Sequence, residues 1–447
     1  MAQRYTTDNG VRRQNPAYVP AAASASSAPV AAAVPFANQA TALAVVPVPT
    51  APALEEEIVV VPTEGYGAAV ARYEAEVEPE IYVGGYQGDG SSIDALNAVL
   101  AKYEVPAGML SKILDVSRFE TIEIIVDDSG SMGRATDARD PVTGASMSRW
   151  AEARHRISQM VELLAHVKCP PVRILFLNRA TVIVLRRGAG ELPAAYIERA
   201  EGMIGEAFGP RPSGTTPALD AIRESLGRHA RRATLRYFLG DGVPNGGKPA
   251  VDAIQEMIST RADPERNPFT FLSCTDQDDQ VEWMKDCEER APYCAELDDY
   301  DDESREVLGD QGDAFPYSYG MHLVCQIAAA YCPDDLDALD ESVPLTRAVL
   351  EGLLGYATSR EEYDYYFDRF VAAQSRKRGR RPFEVRFAER LPRMRGKFEA
   401  AAVSADIEEV RRYREEMRRA GSLPSGGYGA TSRGVAPSDQ DDCCVVL

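Results

Sequence analysis

The sequence predicts a doubly wound α/β domain with a mostly parallel sheet, flanked by an N-terminal arm and a helical C-terminal extension. Two observations carry this. Between residues 119 and 275, short apolar runs of strand length alternate with longer stretches of helical periodicity, and strands separated by helices imply βαβ units with both sheet faces covered. The 447 residues are 45% hydrophobic, enough for a real core rather than wholesale disorder. At roughly 100–200 residues per domain, the chain accommodates one large or two modest folded units plus tails.

The elements follow in order. Residues 1–85 form an arm: Gln14–Leu54 is uncharged but interrupted by Pro16, Pro20, Pro29, Pro35, Pro47, Pro49 and Pro52, whereas a membrane span needs about 20 unbroken apolar residues. This Ala/Pro/Val-rich stretch is expected to be disordered or polyproline-like. The start of the chain lacks the apolar segment of a signal peptide. Residues 86–118 are a helical lead-in, with Leu96, Val99 and Leu100 before Pro106 and Met109, Leu110, Ile113 and Leu114 after it. Thr121–Val126 is a buried strand, and Arg149–Val167 a helix with Trp150, Ala153, Ile157, Met160 and Leu164 on one stripe. Val172–Leu177 and Thr181–Leu185, joined by Asn178-Arg179-Ala180, predict a hairpin with an antiparallel strand at a sheet edge. Helices at Pro193–Phe208, Pro217–Arg231, Lys248–Ala262 and Gln280–Arg290 enclose strands at Thr234–Leu239 and Phe269–Cys274. This core domain occupies residues 119–304. From 305 to 420 the chain reads as helical, with segments at Phe315–Cys332, Leu345–Tyr356, Glu361–Gln374 and Ile407–Ala420. A Gly/Ser-rich flexible tail fills 421–447.

Net charge narrows the function classes. A formal charge of −20 argues against a nucleic-acid partner, which needs clustered cations to neutralise phosphates. Eight cysteines without a CxxC pair fit a reducing, cytoplasmic setting better than a disulfide framework. Cys287/Cys294 and Cys325/Cys332, each seven apart, read as buried inert thiols on helical faces. The acidic stretch Asp276–Glu303 reads as a solvated face, and Arg376–Arg381 as an exposed loop with anionic lipid as a second possibility.

Ligands of open α/β sheets bind where loops converge at the carboxyl ends of strands. The first strand runs into Asp127-Asp128-Ser129-Gly130-Ser131, a second loop reads Gly214-Thr215-Thr216-Pro217, and the Thr234 strand ends in Gly240-Asp241-Gly242. The donors are all oxygens, which suits a hard divalent cation, Mg²⁺ or Mn²⁺ and less well Ca²⁺, rather than Zn²⁺. Two carboxylates and several hydroxyls leave the ion electrophilic, with a position open to a partner's carboxylate.

These three segments resemble the metal-ion-dependent adhesion site of von Willebrand factor A domains, the module also found in integrins and copines. The D-x-S-x-S element falls on Asp127, Ser129 and Ser131, the family threonine on Thr216 and the last aspartate on Asp241. The resemblance implies the Rossmann-like fold of that family over about 160–185 residues, serines and threonine touching the metal directly, and aspartates often acting through water. Thr215 stands where the family usually has a second glycine, and Arg134–Met147 is a long insertion after the serines.

No catalytic constellation accompanies the site. His155, His166, His229 and His322 are scattered, and Asp128 is the nearest sequence candidate for a general base. The expected function is therefore a non-enzymatic, metal-dependent protein-binding module; a Mg²⁺-dependent enzyme or an accessory subunit of an ATPase machine is the alternative. The final Cys444-Val-Val-Leu fits C-a-a-X with a leucine favouring geranylgeranyl, and Cys443 offers a second acylation point. Two lipids would suffice for stable attachment to a cytoplasmic membrane face, although Asp439, Asp441 and Asp442 are acidic where such tails are commonly basic.

Overall fold

The computed structural model describes residues 5–8, 11–14, 58–60, 90–139, 144–228, 232–275, 277–333, 335–336 and 339–420. Cys443, Cys444, His229 and most of the N-terminal arm lie outside them. Within residues 1–53, β1 (Tyr5–Asp8) and β2 (Val11–Gln14) pair as an antiparallel hairpin.

The body, from residue 54 onward, is built on a seven-stranded sheet. Its strands are β3 (Ile58–Val60), β4 (Thr121–Val126), β7 (Val172–Phe176), β8 (Thr181–Leu185), β9 (Thr234–Gly240), β10 (Phe269–Ser273) and β11 (Cys294–Leu297). Their spatial order is β11-β10-β9-β4-β7-β8-β3. The five strands from β11 to β7 are parallel, β8 runs antiparallel to β7, and β3 antiparallel to β8. The α/β architecture and the parallel majority match the sequence expectation. The hairpin strand β8 is not an edge: β3, from the stretch expected to be disordered, pairs outside it with Ile58 opposite Ile183.

Strands buried on both faces explain the two cores. Ile122, Ile124 and Val126 of β4 join one cluster, while Ile125 joins the other. Helices α5 (Ala218–Arg228), α6 (Lys248–Ser259) and α7 (Asp278–Arg290) cover the second face. The first face is covered by α3 (Arg149–Leu164), α4 (Pro193–Phe208) and the C-terminal helices. Chain order reverses around β4, because the next strand, β7, lies on one side of it and β9 on the other. That switch point is where an open α/β sheet forms its binding crevice.

Four elements between residues 119 and 311 escaped the sequence reading. Ala135–Arg139 (β5) and Ser146–Ser148 (β6) pair inside the insertion after the serines. Strand β11 and helix α8 (Tyr300–Gln311) fall in the acidic stretch expected to be solvated. Part of that stretch is buried: Asp298 accepts from the Ser273 hydroxyl at 2.6 Å and from Lys285 at 3.0 Å, and burial drives the Glu296 carboxyl well above its usual range. Cys287 and Cys294 do not share a helical face; they lie in α7 and β11 as buried thiols outside any disulfide.

The remaining helices are α1 (Gly90–Tyr103), α2 (Leu110–Leu114), α9 (Tyr319–Ala328), α10 (Arg347–Leu354), α11 (Arg360–Arg376), α12 (Pro382–Ala400) and α13 (Glu408–Arg419). They share the core of the sheet's first face: Leu323, Val324, Phe367 and Phe398 belong to the same cluster as Ile122 and Leu235. Within the basic run, Arg376 and Arg378 are exposed, whereas Lys377 is pinned to Asp310 and Ser342. Among the described residues, no helix is long and apolar enough to cross a membrane.

Candidate metal centre

The centre is assembled from the carboxyl end of β4. Past Val126 the parallel ladder continues one step, the Asp127 amide donating to the Leu239 carbonyl at 2.8 Å. Asp127 Oδ1 then accepts the Ser129 amide at 2.8 Å. This local carboxylate-to-backbone bond turns the chain and sets the Ser129 and Ser131 hydroxyls 2.9 Å apart. Ser131 Oγ donates to Asp241 Oδ1 at 2.8 Å, from the end of the neighbouring strand β9. The approach of the two strands explains Gly240, since a Cβ there would lie 3.4 Å from that of Asp127 and 2.7 Å from the Phe238 ring.

The third loop docks through its backbone. The Gly130 amide donates to Gly214 O at 3.2 Å, and the Ser213 amide to Asp128 O at 2.7 Å. Gly214 holds φ +107°, and a Cβ there would meet the Asn178 side chain at 2.6 Å, so glycine answers both a backbone and a space requirement. Thr216 is buried; its amide donates to Asn245 Oδ1 at 3.1 Å and its carbonyl accepts the Asn245 amide at 2.8 Å. Its hydroxyl makes no hydrogen bond among the described residues. Asp127, Ser129, Ser131 and Asp241 thus form one hydrogen-bonded chain, and Thr216 is held on the adjoining loop without a direct bond to them.

Asp128 has a different job. Its Oδ1 accepts the Asn178 amide at 2.8 Å and side chain at 3.0 Å, and its Oδ2 accepts Arg179 Nε at 2.7 Å. Arg179 also donates to Ala207 O at the carboxyl end of α4 and stacks over Phe176 and Trp150. With Oδ1 taken up by Asn178 and Oδ2 by the Arg179 ion pair, Asp128 braces the loops and is a poor general base. None of these hydrogen bonds at the centre involves a histidine: His155 and His166 belong to α3 and its end, and His322 sits among Tyr300, Tyr317 and Tyr319.

Burial dominates the electrostatics. It pushes the Asp127 carboxyl up to about 7, against the hydrogen bonds from Ser129, with the charges of Asp241 and Asp128 adding to the rise. Asp127 Oδ2 is buried with no hydrogen-bond partner among the described residues. A buried carboxylate oxygen lacking a donor is costly, and a hard cation is the chemistry that would satisfy it together with the serine hydroxyls. The donor set therefore fits a divalent ion. Among the described residues no group of three or more His, Cys, Asp or Glu side chains gathers to hold a metal, so an ion here would depend on hydroxyls.

One central residue escaped the sequence reading. Arg149 Nη1 donates to Asp241 Oδ2 at 2.7 Å, and both side chains are buried. Arg149 opens α3, where the helix dipole disfavours a cation. An arginine at a helix start was the one sequence signal that an anion lay nearby, and it did not say which. No protein-family model and no curated protein matches the chain. Among solved structures it is similar to the PilB minor pilin from Streptococcus sanguinis at 11% identity and a TM-score of 0.29, covering 41% of this chain and 57% of that one. A likeness of that degree carries no argument.

Proposed function

We propose that this protein is a von Willebrand factor A-like module that binds a protein partner through a divalent cation, Mg²⁺ or Mn²⁺, held by Asp127, Ser129, Ser131, Thr216 and Asp241. The ion supplies an electrophilic centre for a carboxylate; the chain supplies hydroxyls, charge and rigid loops around it. The partner contributes an aspartate or glutamate to the open position. The observation that carries the reading is the buried, partnerless Asp127 Oδ2 beside a hydrogen-bonded Ser129–Ser131–Asp241 chain at the sheet's switch point. The C-terminal Cys443 and Cys444 are proposed to carry lipid and to hold the module at a cytoplasmic membrane face.

The test is a Mn²⁺ titration of the full chain, followed by capture of partners with and without chelator. Ser129→Ala and Thr216→Ala are expected to weaken Mn²⁺ binding by about tenfold or more, the scale of a lost charge-assisted ligand, with the melting transition little changed. Undiminished Mn²⁺ affinity in both variants, or partner capture indifferent to chelator, would exclude the mechanism.

A further inference from the structure

We infer that Arg149 makes cation binding at this centre conditional on a carboxylate from outside the chain, an inference that rests on the metal reading above. The argument is one of charge. A guanidinium does not give up its proton under protein conditions. Arg149, 2.7 Å from Asp241 Oδ2 and 2% exposed, therefore neutralises Asp241 permanently from within. Asp128 is neutralised in the same way by Arg179 at 2.7 Å. Of Asp127, Asp128 and Asp241, only Asp127 has no cationic side chain bonded to it among the described residues, and its Oδ2 accepts no hydrogen bond from them.

The hydroxyls of Ser129, Ser131 and Thr216 are neutral ligands. A divalent ion seated among them meets one uncompensated carboxylate and is left with surplus positive charge. These donors are almost fully buried, Asp127, Ser129 and Asp241 being at most 2% exposed, so that surplus is poorly screened. An incoming carboxylate cancels it. Cation and carboxylate then bind with positive coupling, and by linkage each raises the other's affinity by the same factor. With Arg149 uncharged, two carboxylates would face the ion, which would bind tightly alone and gain little from a third anion. Arg149 is thus a positioning and specificity residue: it keeps the loaded centre hungry for an acidic side chain rather than self-satisfied.

The experiment uses the full chain, Mn²⁺ as the metal, and acetate against acetamide as charged and neutral probes of equal size. Wild type is expected to bind Mn²⁺ about tenfold or more tightly in acetate than in acetamide. Arg149→Gln, whose amide can still donate to Asp241, should bind Mn²⁺ more tightly than wild type in acetamide and lose the acetate effect. The double variant R149Q/D241N again presents one carboxylate and should recover the acetate dependence, a result a merely structural role for Arg149 would not produce. Retention of the full acetate effect in R149Q, its absence in the double variant, or its absence in wild type would overturn the inference. Ser129→Ala with unaltered Mn²⁺ affinity would instead overturn the metal reading beneath it, which keeps the two failures distinct.

Discussion

The pair Asp241–Arg149 decides which substitutions can report on binding. Asp241→Ala removes a proposed ligand but also strands a buried guanidinium, and breaking one partner of such a pair costs about 3–5 kcal/mol. Urea unfolding of this variant is expected to show a loss of that size, and Asp241→Asn a smaller one, because the amide oxygen still accepts from Ser131 or Arg149. Thr216→Ala removes a hydroxyl that makes no hydrogen bond among the described residues, so its stability cost should stay within about 1 kcal/mol while Mn²⁺ affinity falls. The hydrogen-bonded chain of Asp127, Ser129, Ser131 and Asp241 was legible in the sequence because its spacing is local: the first three occupy one turn and Asp241 sits in a recognisable strand-end loop, as Thr216 does in its own. Arg149 was not, because its partner lies 92 residues further along the chain. Asn178, Asn245 and Arg179 escaped for the same reason.

Strands and helices were legible where apolar periodicity was undiluted. Thr121–Val126, Thr181–Leu185 and Pro193–Phe208 appear with the bounds the sequence suggests. β11 was missed because Glu296 breaks a four-residue run inside an acidic stretch, and α12 because Pro392 and dense charge mask its buried stripe of Phe387, Leu391, Met394 and Phe398. Loops carry the functional precision, and here Gly214 is the most demanding position. Gly214→Ala forces a side chain into φ +107° and against Asn178, a strain of about 1–3 kcal/mol that a thermal melt would register. Because the Gly214 carbonyl also anchors Gly130, the same variant should bind Mn²⁺ more weakly. Adding Asn178→Ala should return part of the lost stability by relieving the collision, leaving the backbone strain.

At the scale of the molecule, stability is tied to pH through buried ionisable groups. Burial pushes the Glu152 carboxyl up to about 7, above its ordinary 4.5, with Arg156 opposing. The folded chain then holds this proton where the unfolded chain has released it, so stability falls as pH rises from about 4.5 to about 7. Glu152→Gln should match wild type near pH 4 and exceed it at pH 8 by up to about 3 kcal/mol, read from urea midpoints at the two values. His166 and His322 work in the opposite sense: burial lowers both below the imidazole norm, so their contribution is lost as pH drops below about 6.5. Chelator should leave the fold intact, because Arg149 already compensates Asp241 from within. Saturating Mg²⁺ should raise the melting temperature, by about 2.7 kcal/mol in stability at a hundredfold excess over its dissociation constant.

Helices beyond residue 305 are not an appendage to the sheet. The Tyr237 hydroxyl in the interior strand β9 donates to the Ile327 carbonyl at 2.7 Å, and Arg156 of α3 donates to the Gln326 side chain at 3.1 Å. A gene fragment stopping at 304 would therefore not yield a minimal reagent. It would uncover the aliphatic and aromatic wall that Leu323, Val324 and Ile327 now cover, and the recombinant product should collect in inclusion bodies.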